Sequence, residues 1–290
     1  MGLQLGITLA LLCAFVTNLG FLLKHRGACA APAVDIRHPL KSAAALFRSP
    51  AFVAGYAVAA VAFALHVAAL WLAPISIVQS VISGGLVFLA VLAERVFGYK
   101  LGGRQWIGVI LTAVGLMLLA VTLPHGGENS FSLAALIAFE AAALIIGLGL
   151  LAGPRLGAGV QHHGIMLGAA SGVLIGVSDI AIKAMTNIAD ASGVANALLS
   201  PWLALALVMA VVSFYSVARG LQIGEAVPVI TMIGVTANLI QIAGGIVVFN
   251  DPMPSGAVGM VLQFFGFALV CAAAVLVPAP TRVVAGAQPA

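Results

Sequence analysis

Apolar runs of about 20 residues, the length of helix that crosses a bilayer core of about 30 Å, recur from one end of the chain to the other. Cutting wherever charge, proline or glycine clusters break a run gives nine of them, near residues 3–23, 51–72, 74–94, 104–123, 131–152, 163–185, 199–218, 225–249 and 256–277. In lipid each backbone N–H and C=O must be satisfied within its own segment. That excludes an open sheet, and runs this continuous lack the alternation of a barrel strand. With 63% of its 290 residues hydrophobic and 7% charged, the chain has too few polar side chains to clothe a water-soluble globule. The expected fold is therefore an all-α integral membrane protein with nine transmembrane helices, in a cell membrane. The first run has no basic flank before it and no small-residue cleavage site after it, so it reads as a retained helix rather than a removed signal.

Charge asymmetry sets the orientation. Lys24, Arg26, Arg37, Lys41 and Arg48 follow the first span, Arg95, Lys100 and Arg104 the third, and Arg155, Arg219 and Arg282 the fifth, seventh and ninth. The loops on the other side carry neither Lys nor Arg, and Lys183 alone stands apart, inside a span. The positive-inside bias then places the N-terminus outside and the C-terminus in the cytoplasm. The 12 basic residues form no dense patch with interleaved aromatics, so a nucleic-acid partner is not expected despite a net charge of +4. In the longest cytoplasmic loop, residues 24–50, Leu40, Ala43, Ala44 and Phe47 fall at helical spacing with Lys41 and Arg48 on another side. That pattern reads as a short helix lying on the inner leaflet against membrane lipids, or equally as a solvated basic loop. Three scattered cysteines, Cys13, Cys29 and Cys271, have no metal-ligand spacing.

The chain also resembles itself. "RQWIGVILTAVGLMLLAV" and "SGAVGMVLQFFGFALVCAAA" each carry two glycines seven residues apart, Gly108/Gly115 and Gly259/Gly266, and each follows a break that bears an acid, Glu94 or Asp251. Thr17-Asn18 in the first span and Ser178-Asp179 in the sixth occupy comparable places. The correspondence pairs spans one to four with six to nine. Because five spans separate partners, the halves face opposite ways, the inverted-repeat layout of many secondary transporters. The domains expected on this basis are a first repeat at 1–125, a fifth span with a cytoplasmic linker at 126–160, a second repeat at 161–278, and a flexible cytoplasmic tail at 279–290.

"AERVFGYKLGGRQWIGVILTAVGLMLL" resembles the helix-acid-turn signature of EamA-like members of the drug/metabolite transporter superfamily, and "FNDPMPSGAVGMVLQFFGFALV" resembles its second copy. Within that superfamily, "LGITLALLCAFVTNLGFLLKHRGA" and "WLAPISIVQSVISGGLVFLAVLAERVF" are similar to the NIPA-type branch, whose members are associated with magnesium transport. The resemblance covers nearly the whole chain and implies a transporter with the nine-span, N-out, C-in layout. The two copies differ: the loop after Glu94 is longer than its second-half equivalent, where Asp251 is followed by Pro252.

Polar residues inside spans mark the candidate substrate or ion pathway. Asp179 and Lys183 share with Gly164, Gly168, Gly172 and Gly176 an arc of about 120° on the sixth span. Small residues mark a face packed on another helix, since lipid needs no close approach. The charged pair thus faces protein or a cavity, in the favourable acid-before-base order one turn apart. Its role is either a pathway or an internal ion pair in which Lys183 snorkels to the outer surface. The glycine arc could also serve an intermolecular face in a homo-oligomer. Thr231, Gly234, Asn238, Gln241 and Gly245 make a polar and small seam on the eighth span, matched on the third by Ser76, Gln79, Ser80 and Ser83. Such seams line an aqueous path or join helices by hydrogen bonds. Glu140 sits near the middle of the fifth span with no basic residue within a turn, so it must be protonated, face a cavity or find a partner on another helix. His66 falls on an alanine-rich stripe, where a packed, hydrogen-bonded imidazole is the plainer reading than a ligand.

No HExxH, GxSxG or Walker loop is present, and no acid, base and nucleophile share one membrane depth, so an enzyme is not expected and neither is a cofactor. The expected function is a transporter that moves a small solute or cation by alternating access. The alternatives are a NIPA-like magnesium transporter and a lipid-handling membrane scaffold or enzyme. Magnesium demands near-octahedral oxygen ligation. The intramembrane carboxylates that could serve it, Glu140 and Asp179, lie at different depths, and Lys183 stands beside Asp179.

Overall fold

The computed structural model describes residues 2–35, 37–72, 81–82, 84–122, 132–153, 157, 159–250, 254 and 256–276. All regular structure among them is helical. Eleven α-helices follow in order: α1 Gly2–Ala30, α2 Pro39–Phe47, α3 Pro50–Leu72, α4 Leu86–Arg95, α5 Gly103–Thr122, α6 Leu133–Ala152, α7 His163–Ser192, α8 Val194–Leu198, α9 Pro201–Ile223, α10 Ala226–Val248 and α11 Ala257–Leu276. Five of them are long and apolar enough to cross a membrane, and α2 with α3, bent by 84° at their junction, pass the same test as a pair. Two shorter apolar stretches, Gly103–Leu119 and Ala257–Val270, lie within α5 and α11. The chain is an all-helical, multi-pass membrane protein. Of the span expected at 74–94, residues 74–80 and 83 lie outside the described residues, as does the tail.

Two features differ from expectation, each for a physical reason. The first helix does not stop at residue 23 but continues through Lys24, His25 and Arg26 to Ala30. Lys24 and His25 find partners inside the bundle. The Lys24 ammonium lies 4.4 Å from the Tyr56 ring centroid and 4.8 Å from that of Phe21, and His25 bonds two other segments. A charge over an aromatic face is compatible with continued helix. The glycine arc of the sixth span is an intramolecular seam, not an intermolecular face. A methyl group at Gly176 would stand 2.6 Å from Ile240 Cγ2, and one at Gly168 would stand 3.0 Å from Val229 O, so α10 occupies the arc along its length. At Gly164 the neighbour is the Gly220–Gly224 end of α9. Only glycine lets these backbones approach so closely.

The short helix expected in the loop at 24–50 is α2, which buries Leu46 and Ser42 and leaves Leu40 exposed. Phe47 stacks on Phe214 with centroids 6.1 Å apart and meets Phe52 edge-on at 5.4 Å. Tyr215 donates its hydroxyl hydrogen to Pro39 O at 2.9 Å, tying α2 to α9. Beneath it lies the largest buried cluster, which includes Leu22, Leu46, Phe52, Leu89, Leu221 and Val229.

α1 packs along α3, α7 lies between α9 and α10 with α6 alongside, and α5 pairs with α11. The last contact is reciprocal. A methyl at Gly115 would meet Gly266 O at 2.9 Å, Val270 Cγ2 at 2.7 Å and Leu269 Cβ at 3.1 Å. One at Gly266 would meet Gly115 O at 3.0 Å, Leu119 Cγ at 3.1 Å and Leu118 Cβ at 3.3 Å. Gly115, Leu118 and Leu119 thus touch Gly266, Leu269 and Val270, their counterparts at one constant offset along the chain.

Candidate functional site

The glycines of α7 bring its polar end against α10. There Gln241 Nε2 donates to Asp179 Oδ2 at 2.6 Å, joining the two helices. One turn further on, Lys183 places its ammonium 4.3 Å from the centroid of the Phe249 ring, which caps the C-terminal end of α10 and is 3% exposed. Asp179, Ile180, Lys183, Gln241, Gly245 and Phe249 together line an open cavity of about 250 Å³. The structure therefore joins three of the residues singled out in the sequence, Asp179, Lys183 and Gln241, at one place. It adds Phe249, which sequence reading passed over because an aromatic residue at a helix end is unremarkable by itself.

The other candidates sit elsewhere. Asn18 is buried and donates its amide hydrogens to Ala14 O at 2.8 Å and to Gly85 O at 3.1 Å. It thereby ties α1 to the turn that precedes α4. Asn18 thus links α1 to Gly85 as Asp179 links α7 to Gln241 of α10. Asn238 donates to Gly234 O of its own helix at 2.8 Å and does not reach the Asp179 cavity. Thr231 is fully buried, and its hydroxyl has no partner among the described residues. Glu140 shares an inward stripe of α6 with Leu136, Ala143 and Gly147, is 3% exposed, and neither carboxyl oxygen has a hydrogen-bond partner among the described residues. It does not line the Asp179 cavity. His66 lines a second cavity of about 270 Å³ between α1 and α3, with Cys13, Thr17, Phe21 and Lys24. Gln79 and Ser83, with Ser76 and Ser80, lie outside the described residues.

Sequence reading missed a larger cavity. About 670 Å³ in volume, it opens at the end that carries the Lys24–Arg26 and Arg219 charges, lined by His25, Cys29, Tyr99, Gln161, Gln222 and Glu225 among others. His25, 7% exposed, has Nδ1 3.0 Å from the Tyr99 hydroxyl and Nε2 3.3 Å from Gly224 O. A carbonyl only accepts, so Nε2 carries the proton and Nδ1 accepts from Tyr99. Burial pushes the Tyr99 phenol above its ordinary range, which keeps it a donor. Cys29 donates to Leu221 O at 3.3 Å. At the rim, Gln105 Nε2 donates to Glu225 Oε2 at 2.9 Å, and Gly102 N–H donates to Gln105 Oε1 at 3.1 Å. The available signal was the spacing of His25 and Cys29, one turn apart, which the expectation of a loop after residue 23 obscured. Among the described residues, no three His, Cys, Asp or Glu side chains come together as a metal site.

Comparison with known proteins gives one informative relation. The chain is 24% identical over 293 residues to a protein of Arabidopsis thaliana described as a probable magnesium transporter, NIPA9, in an alignment that spans 96% of this chain and 83% of that protein. No family model matches the chain, and no solved structure matches it.

Proposed function

We propose that the chain is a membrane transporter that moves a small solute or cation across the cell membrane by alternating access between two inverted repeats, spans one to four in residues 1–125 and six to nine in 161–278, within a nine-span, N-out, C-in layout of the drug/metabolite transporter type. The observation that carries this reading is the reciprocal crossing of α5 and α11, where Gly115 and Gly266 each meet the other's carbonyl oxygen. A contact in which residue i touches the counterpart of j, while j touches the counterpart of i, is what a local twofold axis produces. A twofold axis in the membrane plane relates inverted halves. Polar cavities near both ends of the bundle support a path that opens to each side in turn, with Asp179, Lys183 and Gln241 on the outer side and His25, Tyr99 and Glu225 on the inner. Asn18, Gln79, Ser83, Glu140 and Asn238 would then complete or brace that path, with His66 and Thr231 less directly involved.

A second reading, magnesium transport, is favoured by the description of the Arabidopsis relative. Glu140 or Asp179 would have to supply ligands for that ion. Purified protein reconstituted into liposomes distinguishes the two. Uptake of an organic solute or a monovalent cation, with or without a proton gradient, supports the first. Entry of magnesium onto a trapped magnesium-sensitive dye, unaffected by amines, supports the second. No flux of either kind refutes both.

A further inference from the structure

We infer that the cavity between α7 and α10 is an ammonium-binding subsite whose resident occupant is the tethered side chain of Lys183, and that a small primary or quaternary amine binds there by displacing it. The inference deepens the transporter reading, on which it rests only for the claim that the bound amine is cargo.

Two groups that attract cations converge on this cavity. Asp179 supplies a carboxylate, held by the 2.6 Å bond from Gln241, and a carboxylate with one hydrogen bond keeps further acceptor positions. Phe249 supplies a buried aromatic face, already engaged by an ammonium 4.3 Å from its centroid. A carboxylate beside an aromatic face is the chemistry that recognises ammonium ions, because the ring's electron density attracts a positive charge even when the charge is clothed in C–H groups. Magnesium has no use for the ring. It takes oxygen ligands in octahedral geometry and gives up its waters reluctantly, whereas among the described residues the side-chain oxygens lining the cavity belong to Asp179 and Gln241. The volume, about 250 Å³, lies below the range of roughly 300 to 1,000 Å³ usual for drug-sized ligands, so the cation has few heavy atoms. Lys183 lies on the α7 turn that follows Asp179, on a flexible four-carbon stem, so it can leave the ring and carry its charge outward when another cation arrives.

The test is binding to the purified full-length protein, which does not depend on transport. The chain has three tryptophans, and Trp202 packs against the cluster that contains Phe249 and Ile180. Replacing Trp71 and Trp106 by Phe leaves Trp202 emission as the reporter. Ethylammonium and tetramethylammonium chloride are titrated against sodium chloride of equal ionic strength, and magnesium chloride is run in parallel. Removing the competitor by Lys183→Met should tighten amine binding about tenfold, the size of effect expected when one cation no longer contests an aromatic face. Lys183→Arg, which keeps a cation on the stem, should stay near wild type. Adding Phe249→Leu to Lys183→Met should lose the gain. Lys183→Gln replaces Lys183→Met if the latter is not monodisperse on size exclusion. Equal affinity in wild type and Lys183→Met overturns the inference. So does a gain that survives Phe249→Leu, which would mean mere removal of a positive charge, and so does magnesium competing with the amine. Amine binding as expected in a protein that moves nothing into liposomes removes the transporter reading and leaves the subsite. Transport of magnesium without amine binding does the reverse.

Discussion

Gly172 offers the sharpest test of how the bundle is held together. It lies about a third of the way along α7, and a methyl group there would collide with Thr236 Oγ1 and Ile233 O of α10 and stand 3.0 Å from Ala237 N. Two of these three neighbours are backbone atoms of a long helix and cannot swing aside. The third, the Thr236 hydroxyl, shares its one hydrogen between Ala169 O at 3.0 Å and Met232 O at 2.8 Å, so displacing it also breaks the link between α7 and α10. Overpacking of a tight contact costs about 1–3 kcal/mol, and the lost hydrogen bond adds about 1 kcal/mol. The better helix propensity of alanine returns up to about 1 kcal/mol. Gly172→Ala should therefore destabilise by about 1–3 kcal/mol. Gly149, on the outer face of α6, is the control: a methyl group added there would meet nothing within 4 Å, and Gly149→Ala should be neutral or slightly stabilising. Thermal unfolding in one detergent, followed by intrinsic fluorescence and loss of monodispersity, compares the two variants. If Gly172→Ala melts with the wild type, the glycine seam is not a close backbone contact, and the argument that places Asp179 against Gln241 loses its foundation.

Engineered single cysteines should confirm the orientation: a thiol at Ser192 reacts with a membrane-impermeant maleimide from outside, and thiols at Arg37 and Lys100 do not, whereas outside labelling at either of the latter would reverse the N-out assignment. Asn18→Leu removes both donations to Ala14 O and Gly85 O and should cost about 1–2 kcal/mol in the same unfolding assay. A double-mutant cycle on His25→Phe and Tyr99→Phe should give a coupling of about 1 kcal/mol, since a single hydrogen bond joins the rings, and additive effects would mean the 3.0 Å contact carries no energy. Asp179→Asn combined with Lys183→Met should remain folded, because a pair of charges is removed together, yet fail in liposome uptake. Wild-type uptake by that double variant would reduce the two residues to a structural role.

The helical architecture was legible because hydropathy alone dictates it: where a backbone must satisfy itself, a long apolar run has no alternative to a helix. Helix ends were less legible, because a charge ends a span only when water is its best partner. Lys24 and His25 read as the start of a loop, but Tyr56, Phe21, Tyr99 and Gly224 come from other positions in the chain to receive them. No local pattern announces that. The same reasoning explains α2. Its helical spacing was visible, and whether it floats on the leaflet or folds back was decided by the Phe47, Phe52, Tyr56 and Phe214 rings, which belong to three separate helices.

Polar residues within the spans divide by what they can reach. Periodicity places a side chain on a face, and that sufficed for Asp179, whose glycine neighbours guaranteed a closely packed partner helix. It failed for Asn238, one turn from Gln241 and on the same seam, because an amide in a helix can satisfy itself on the carbonyl four residues back. Gln241 could do the same and instead spans to Asp179. The difference lies in what stands opposite. A carboxylate is a stronger acceptor than a carbonyl already engaged in its helix, so it draws the amide across the interface. A polar seam read from sequence is therefore a set of residues that compete for local bonds, and the member that faces an ionisable group is the one drawn into the site. By the same rule Glu140, whose oxygens meet no donor among the described residues, holds no amide in place and organises no neighbour as Asp179 does.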